Sequence, residues 1–238
     1  MSMTLEALCE IMELDLHPVG VYDAPDPSQF DPIVKLKRCI FDHYDAWQRG
    51  ETLDIPVGKG GCPGCGYWMT NTETFPSREA FVDFLTSKEG LRARPDLTDA
   101  WLDANPPYRP VHGHILIGPI RPEMTKYLKT VTFFVTPDQM SVLMHGAVHH
   151  AHPDDLEPII APLGSGCGQM LSLFSALERP QSAIGATDIA MRGLLPPDRL
   201  TFTMTVPMFD RLLSLDLEHS FLGKPFLKKL RAARSAGH

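Results

Sequence analysis

The chain has 238 residues, of which 43% are hydrophobic, and 22 basic against 29 acidic side chains give a formal net charge of -7. This length can bury one large core, so we expect a single domain over residues 1–238. A net negative chain lacks the positive field that gathers phosphates, which argues against a nucleic-acid-binding protein. No uncharged apolar stretch approaches the roughly 20 residues that cross a bilayer, and no basic start precedes an apolar run. We therefore expect a cytoplasmic protein with no membrane partner.

The first part of the chain alternates between helical and extended patterns, as read from apolar periodicity and from proline and glycine breaks. In chain order the predicted elements are a helix over 4–15, a strand over 17–22, a loop over 23–32, a helix with Leu36, Ile40, His43 and Trp47 on one face, and a strand over 53–57. A run with five glycines in nine residues, 58–66, follows this last strand. Such a run allows a tight backbone that other residues do not adopt.

The remainder of the chain continues the same alternation. A helix is predicted near residue 77, and a polar, proline-containing connection follows it to residue 105. Strands are then predicted over 114–118 and 131–135, and a helix from Pro137 to about Ala147. A second glycine cluster over 164–168 leads into a helical run to Phe174, and strands over 182–186 and 200–206 and helices over 208–215 and 221–233 complete the chain. This order predicts an α+β (mixed α/β) fold with helices packed on a mixed β-sheet.

An internal similarity raises the hypothesis of two pseudo-equivalent halves. The segments Gly60–Met69 and Gly164–Leu173 both run through glycine, a small residue, cysteine and glycine into a predicted helix. Both segments would place a cysteine at a junction between a loop and a helix. Backbone amides and the helix dipole lower the pKa of a thiol at such a junction.

The cysteines are the most informative residues for function. Cys62 and Cys65 form a C-x-x-C pair, whose spacing lets two thiolates converge on one metal ion or cluster. Cys167, in its glycine setting, and Cys39, one connection upstream, are the candidates for two further ligands. Soft thiolates favour an iron–sulfur cluster of the 4Fe-4S type, with zinc as the alternative. We predict that these four cysteines bind the cofactor.

Two alternatives to a metal site remain open. Cys62 and Cys65 could form a reversible disulfide in a metal-free thiol–disulfide protein. The glycine-lined cleft could instead hold a small ligand in a non-catalytic binding or sensor domain. Cys9 lies on the apolar face of the first predicted helix, so we expect it in the core. The five cysteines are not expected to form structural disulfides in a reducing compartment.

A family resemblance rests on several short segments and on their order along the chain. They are Leu16–Val21, Cys39 before an aromatic helix, Cys62–Gly64, Val135–Pro137, Gly166–Gly168, Asp188–Ala190 and Ser220–Leu222. In this order the chain resembles the uncharacterised ArCR family of bacterial and archaeal proteins, a domain of unknown function. The resemblance implies that Cys39, Cys62 and Cys167 occupy cysteine positions of the family and that Cys65 is an addition in this branch. It implies no activity and no substrate.

The functional expectation is therefore a cluster-binding protein that acts in redox transfer or in the handling of a small ligand. Its partner would be an unidentified small molecule or an electron-transfer partner. Because dimers are common among soluble proteins, a homodimer is a reasonable expectation.

Overall fold

The computed structural model describes residues 3–59, 61–152, 158–162, 164–174 and 176–236. The strands are β1 (Val19–Ala24), β2 (Ile33–Lys35), β3 (Thr52–Pro56), β4 (His114–Pro119), β5 (Leu128–Val135), β6 (Ile159–Ile160), β7 (Ser182–Gly185) and β8 (Leu200–Thr205). The helices are α1 (Leu5–Met12), α2 (Tyr44–Gln48), α3 (Pro63–Thr70), α4 (Arg78–Asp83), α5 (Pro95–Ala104), α6 (Pro137–Val148), α7 (Gly166–Met170), α8 (Ile189–Arg192), α9 (Val206–Leu213) and α10 (Pro225–Ser235). Short 3₁₀ turns lie at Pro27–Phe30, Ile40–His43, Pro122–Tyr127 and Phe221–Gly223, and a π-helical turn at Phe84–Lys88 extends α4.

The strands form one mixed sheet with the order β2-β3-β4-β1-β5-β8-β7-β6. β2 and β3 are parallel, as are β6 and β7, whereas the other neighbouring strands are antiparallel. The last four strands of the chain therefore repeat the order and directions of the first four, and β1 pairs with β5 at the centre. This arrangement confirms the predicted α+β fold on a mixed sheet, and the two halves are equivalent in strand order.

The sheet separates two hydrophobic cores because successive side chains of a strand point to opposite faces. Val19 and Val21 of β1 belong to the first core, whereas Tyr22 belongs to the second. Residues of α2, α3, α4, α5, α7 and α8 cover the first core, and residues of α1, α6 and α9 cover the second. None of the described helices is long and apolar enough to cross a membrane.

Local hydrogen bonds explain where α1 and α6 begin. The Thr4 hydroxyl accepts a hydrogen bond from the Ala7 amide at the start of α1, with a distance of 3.1 Å. At the start of α6, the Thr136 hydroxyl accepts from the Gln139 amide while the Gln139 side chain accepts from the Thr136 amide. These contacts satisfy amide donors that have no partner within the first turn of a helix.

Several sequence predictions about local structure are wrong. Leu36 lies beyond the end of β2 and outside any helix, and the predicted helical face is divided between the turn at Ile40–His43 and α2. The connection before residue 105 contains a helix, α5. The helical run toward Phe174 ends at Met170.

The two glycine-cysteine segments are not equivalent in the fold. α3 lies in the connection after β3, whereas α7 lies in the connection before β7. Since β3 and β7 correspond in the two halves, the similarity between Gly60–Met69 and Gly164–Leu173 does not follow the repeat. Gly60 itself lies outside the described residues.

Candidate functional site

The four candidate cysteines lie around one cavity of about 200 Å³ on the side of the first core. They come from three connections of the sheet: Cys39 from β2 to β3, Cys62 and Cys65 from β3 to β4, and Cys167 from β6 to β7. The fifth cysteine, Cys9, is buried on α1, on the side of the second core. The sheet thus gathers the predicted residues from both of its halves, while their role as ligands stays a prediction.

Two glycines allow the cysteine-bearing segments to approach one another. A Cβ atom at Gly61 would lie 2.4 Å from the backbone carbonyl oxygen of Arg38, the residue before Cys39. A Cβ atom at Gly64 would lie 3.0 Å from the Ser165 hydroxyl. Larger residues at these positions would therefore separate the segments that line the cavity. Close packing is thus one physical reason for the glycine-rich sequence around Cys62.

Cys62 has the strongest thiolate character of the group. It precedes the first residue of α3, and its sulfur accepts a hydrogen bond from the Cys65 amide at 3.4 Å. A hydrogen bond from the Cys39 thiol, opposed by burial and aided by nearby backbone amides, lowers the pKa of Cys62 to about 6. Donating this hydrogen bond raises the pKa of Cys39 above its usual value, and burial adds to the increase. These opposite shifts favour the thiolate form at Cys62 and the thiol form at Cys39.

Cys65 and Cys167 are buried, and both favour the protonated thiol. Burial, followed by the negative charge of Cys62, raises the pKa of Cys65 to about 12. Burial also raises the pKa of Cys167 well above its usual value, although the Ser165 hydroxyl lies only 2.8 Å from its sulfur. The expectation of a lowered pKa at both junctions is consistent with the pKa of Cys62 but wrong for Cys167. Desolvation outweighs local hydrogen bonding at this fully enclosed position.

A buried glutamine holds the Cys167 segment in place. Gln169 lies on α7 with no exposed surface, and its carbonyl oxygen accepts a hydrogen bond from the Ala186 amide at 2.8 Å. Its amide nitrogen donates to the Pro162 carbonyl at 2.7 Å and to the Thr187 hydroxyl at 2.8 Å. The side chain thus connects α7 to the loop that leads into Asp188. This bracing fixes both segments relative to the cavity.

Two carboxyl groups also line the cavity, and sequence reasoning did not single them out as site residues. Glu89 is exposed as a residue, but partial desolvation of its carboxyl group, the charge of Asp188 and the charge of Cys62 raise the pKa of Glu89 to about 7. Burial likewise raises the pKa of Asp188, whose side chain accepts a hydrogen bond from the Ala190 amide. Asp188 lies in one of the segments that carry the family resemblance, which is a signal for it. Glu89 has no comparable signal.

Larger hollows exist elsewhere, but their linings lack this chemistry. One of about 370 Å³ lies beside residues 71–78, and another of about 480 Å³ lies beside residues 34–49. Neither is lined by a cysteine. The smaller cavity is the candidate site because it combines four sulfurs with two carboxyl groups whose pKa values are raised.

The chain is an α+β domain in which four cysteines from both halves of the sheet line one cavity. The sequence model of the uncharacterised ArCR family matches residues 7–214, so the chain belongs to this family. Comparisons with curated proteins and with solved structures give no significant match.

Proposed function

We propose that this chain binds an iron–sulfur cluster of the 4Fe-4S type, with Cys39, Cys62, Cys65 and Cys167 as its ligands. The observation that carries the proposal is the convergence of these residues on one cavity of about 200 Å³. The four cysteines come from segments that are distant in sequence, and the fifth cysteine, Cys9, does not line this cavity. Cysteine thiolates are the usual ligands of such clusters.

The arrangement of the side chains favours a cluster over a single zinc ion. A structural zinc ion binds each thiolate sulfur at about 2.3 Å, so its ligands must surround one point. Within the described part of the chain, no three His, Cys, Asp or Glu side chains are grouped so that they could hold one metal ion. A cluster distributes its ligands over several iron atoms, so the sulfurs can remain apart on the wall of a cavity.

The surroundings of the sulfurs suit a negatively charged group. The Cys65 amide points to the Cys62 sulfur, and the Ser165 hydroxyl contacts the Cys167 sulfur. Hydrogen bonds of this kind stabilise the charge of cluster and thiolates and help to set the reduction potential. The protonated thiols of Cys65 and Cys167 would lose their protons on binding, so the affinity for iron should rise with pH.

The accessible side of the cavity is compatible with redox transfer or with the handling of a small ligand as the role of the cluster. Cys39 and Cys62 are half-buried, whereas Cys65 and Cys167 are buried. A cluster held here would have one side close to solvent, where an electron-transfer partner or a small ligand could approach. An electron-transfer or small-molecule partner and a homodimeric state both remain predictions.

Reconstitution under anaerobic conditions tests the proposal. The purified chain is incubated with sulfide and a mixture of ferrous and ferric iron, which together supply the oxidation level of the cluster, and a parallel sample receives zinc alone. We expect visible charge-transfer absorption that a reductant bleaches in the first sample, and no stoichiometric zinc in the second. A colourless protein after reconstitution would contradict the proposal. So would one zinc ion per chain that is lost in Cys39→Ser but retained in Cys9→Ala.

A further inference from the structure

The C-terminal end of α6 presents two histidines on one side of the helix. His145 and His149 are four residues apart and exposed, and the backbone of His149 is still helical, with φ of -57° and ψ of -37°. Side chains at this spacing are neighbours on a helix surface, with about 5–6 Å between their Cβ atoms. Two imidazoles placed in this way can bind one metal ion through a ring nitrogen of each.

Both imidazoles pack near the same aromatic ring. The ring centroid of Phe221 lies 5.4 Å from that of His145 and 6.5 Å from that of His149. Within the described residues, neither imidazole takes part in a hydrogen bond or an ion pair, whereas His114 and His219 are bonded to carboxylates. The ring nitrogens of this pair are therefore available as ligands. The shared contact with Phe221 also reduces the conformational freedom that binding would remove.

The electrostatic surroundings of the pair favour a cation. The last carbonyl groups of a helix have no partner within it, and the helix dipole places a partial negative charge at this end. The formal net charge of the whole chain is -7. A positive ion held by the two imidazoles would therefore lie at a favourable end of α6.

We propose that His145 and His149 bind one divalent transition-metal ion of the nickel or copper type, with water at its other positions. Imidazole suits these ions, which accept a tetragonal arrangement of nitrogen and oxygen ligands. No third His, Cys, Asp or Glu joins such a group within the described part of the chain, whereas zinc sites usually contain three or four protein ligands. α6 covers the second core, so this site is separate from the cysteine cavity and does not depend on cluster binding.

Retention of the untagged, full-length chain on immobilised Ni²⁺ tests the site, because an immobilised ion contacts only exposed side chains. We expect the wild type to be retained until imidazole is added. His145→Ala and His149→Ala should each weaken binding at least about tenfold, since the second ligand of a pair acts at a high effective concentration. The double variant should lose little more than either single variant. His17→Ala, which removes another exposed histidine, and Cys62→Ser should bind Ni²⁺ like the wild type.

Protection of the wild type from diethyl pyrocarbonate is a second measurement, which needs no substitution. Free Ni²⁺ should slow the modification of His145 and His149 but not that of His17, as measured by peptide mapping. Three results would overturn the inference: single variants that bind like the wild type, single losses that simply add in the double variant, or no protection by Ni²⁺. Loss of Ni²⁺ binding in Cys62→Ser would also contradict it. Iron and sulfide content is measured separately, so this proposal and the cluster proposal can fail independently.

Discussion

Cys39 and Cys167 occupy corresponding places in the two halves of the sheet. Each lies in the connection between the two parallel strands of its half, Cys39 between β2 and β3 and Cys167 between β6 and β7. The cavity that both residues line therefore joins the two halves. Cys62 and Asp188 also correspond, since each follows the second strand of a parallel pair. The two halves of the sheet thus place residues at corresponding positions of the cavity, but three of the four cysteines come from the first half.

Replacement of Gly61 by alanine should destabilise the fold. The new Cβ atom would meet the Arg38 carbonyl at 2.4 Å, and this backbone atom cannot move aside without shifting the segment before Cys39. We expect a loss of about 1–3 kcal/mol in the free energy of unfolding, measured by urea denaturation.

The matched control for this substitution is Gly193→Ala. No atom lies within 4 Å of the added Cβ at Gly193, whose φ of -66° suits alanine. The free energy of unfolding of Gly193→Ala should stay close to the wild-type value or rise by up to about 1 kcal/mol. Equal effects of the two substitutions would contradict the close packing between the cysteine-bearing segments.

Alkylation of Cys62 in the iron-free chain should depend on pH with a midpoint near its pKa of about 6. The thiolate is the reactive form, so the rate with iodoacetamide should rise through this midpoint and level off above it. Cys39→Ala removes the thiol that makes the largest contribution to the lowered pKa. We expect the midpoint of Cys62 to move upward in this variant, whereas Cys65→Ser keeps the backbone amide and should retain a low midpoint. Mass spectrometry of the modified peptide provides the rate, and an unchanged midpoint in Cys39→Ala would be evidence against a contribution from the Cys39 thiol.

Ionisation of Glu89 should reduce the stability of the iron-free chain. Its pKa in the folded state is about 7 and its usual value is 4.5, so folding favours the protonated form. The stability associated with this proton is present below pH 4.5 and is lost as the pH rises through 7. Glu89→Gln removes the ionisation and should stabilise the chain at pH 8 by about 1 kcal/mol, a value reduced because this exposed side chain is screened by solvent.

Urea unfolding at pH 4 and pH 8 checks the Glu89 prediction. At pH 4 the variant and the wild type should be equally stable. Glu10→Gln removes an exposed carboxylate on α1, away from the cavity, and serves as the control for the loss of one charge. A stabilisation of Glu89→Gln that is the same at both pH values would exclude the proposed cause.

The Ser165 hydroxyl should raise the reduction potential of a cluster bound at Cys167. Its oxygen lies 2.8 Å from the Cys167 sulfur, and a hydrogen bond to a ligand sulfur favours the more negative, reduced state. Ser165→Ala should therefore lower the reduction potential of the cluster. A tenfold change in the equilibrium constant of its one-electron reduction corresponds to about 59 mV. Potentiometric titration measures the effect. Ser172→Ala, which removes a hydroxyl bonded to the Gly168 carbonyl, should leave the potential unchanged.

The sequence predicted the parts of the fold in which one element carries one clear pattern. The strand expected over 114–118 is β4, and the β-rich run at 131–135 is the C-terminal part of β5. The predicted helix with Leu36, Ile40, His43 and Trp47 on one face does not exist as one element. Its four residues lie in a loop, a 3₁₀ turn and α2, so their helical spacing is a coincidence. α5 was not predicted because Pro95 was interpreted as part of a connection, although proline is favoured in the first turn of a helix.

The site could be predicted only in part. The glycine context of Cys62 and Cys167 indicated which cysteines belong together, because glycine permits the close approach that these segments need. The effect of Cys39 on the pKa of Cys62 could not be predicted, since it depends on the packing of two separate connections. The same holds for Glu89, whose position depends on the length of α4 and its π-helical extension.

The iron and acid-labile sulfide content of single-cysteine variants tests the central claim most directly. After anaerobic reconstitution, the wild type and Cys9→Ala should each hold about four iron and four sulfide ions per chain. Cys62→Ser and Cys167→Ser, which alter ligands from different halves of the sheet, should both lose most of this content. Wild-type iron and sulfide in Cys167→Ser, or their absence from the wild type itself, would contradict a cluster held between the two halves.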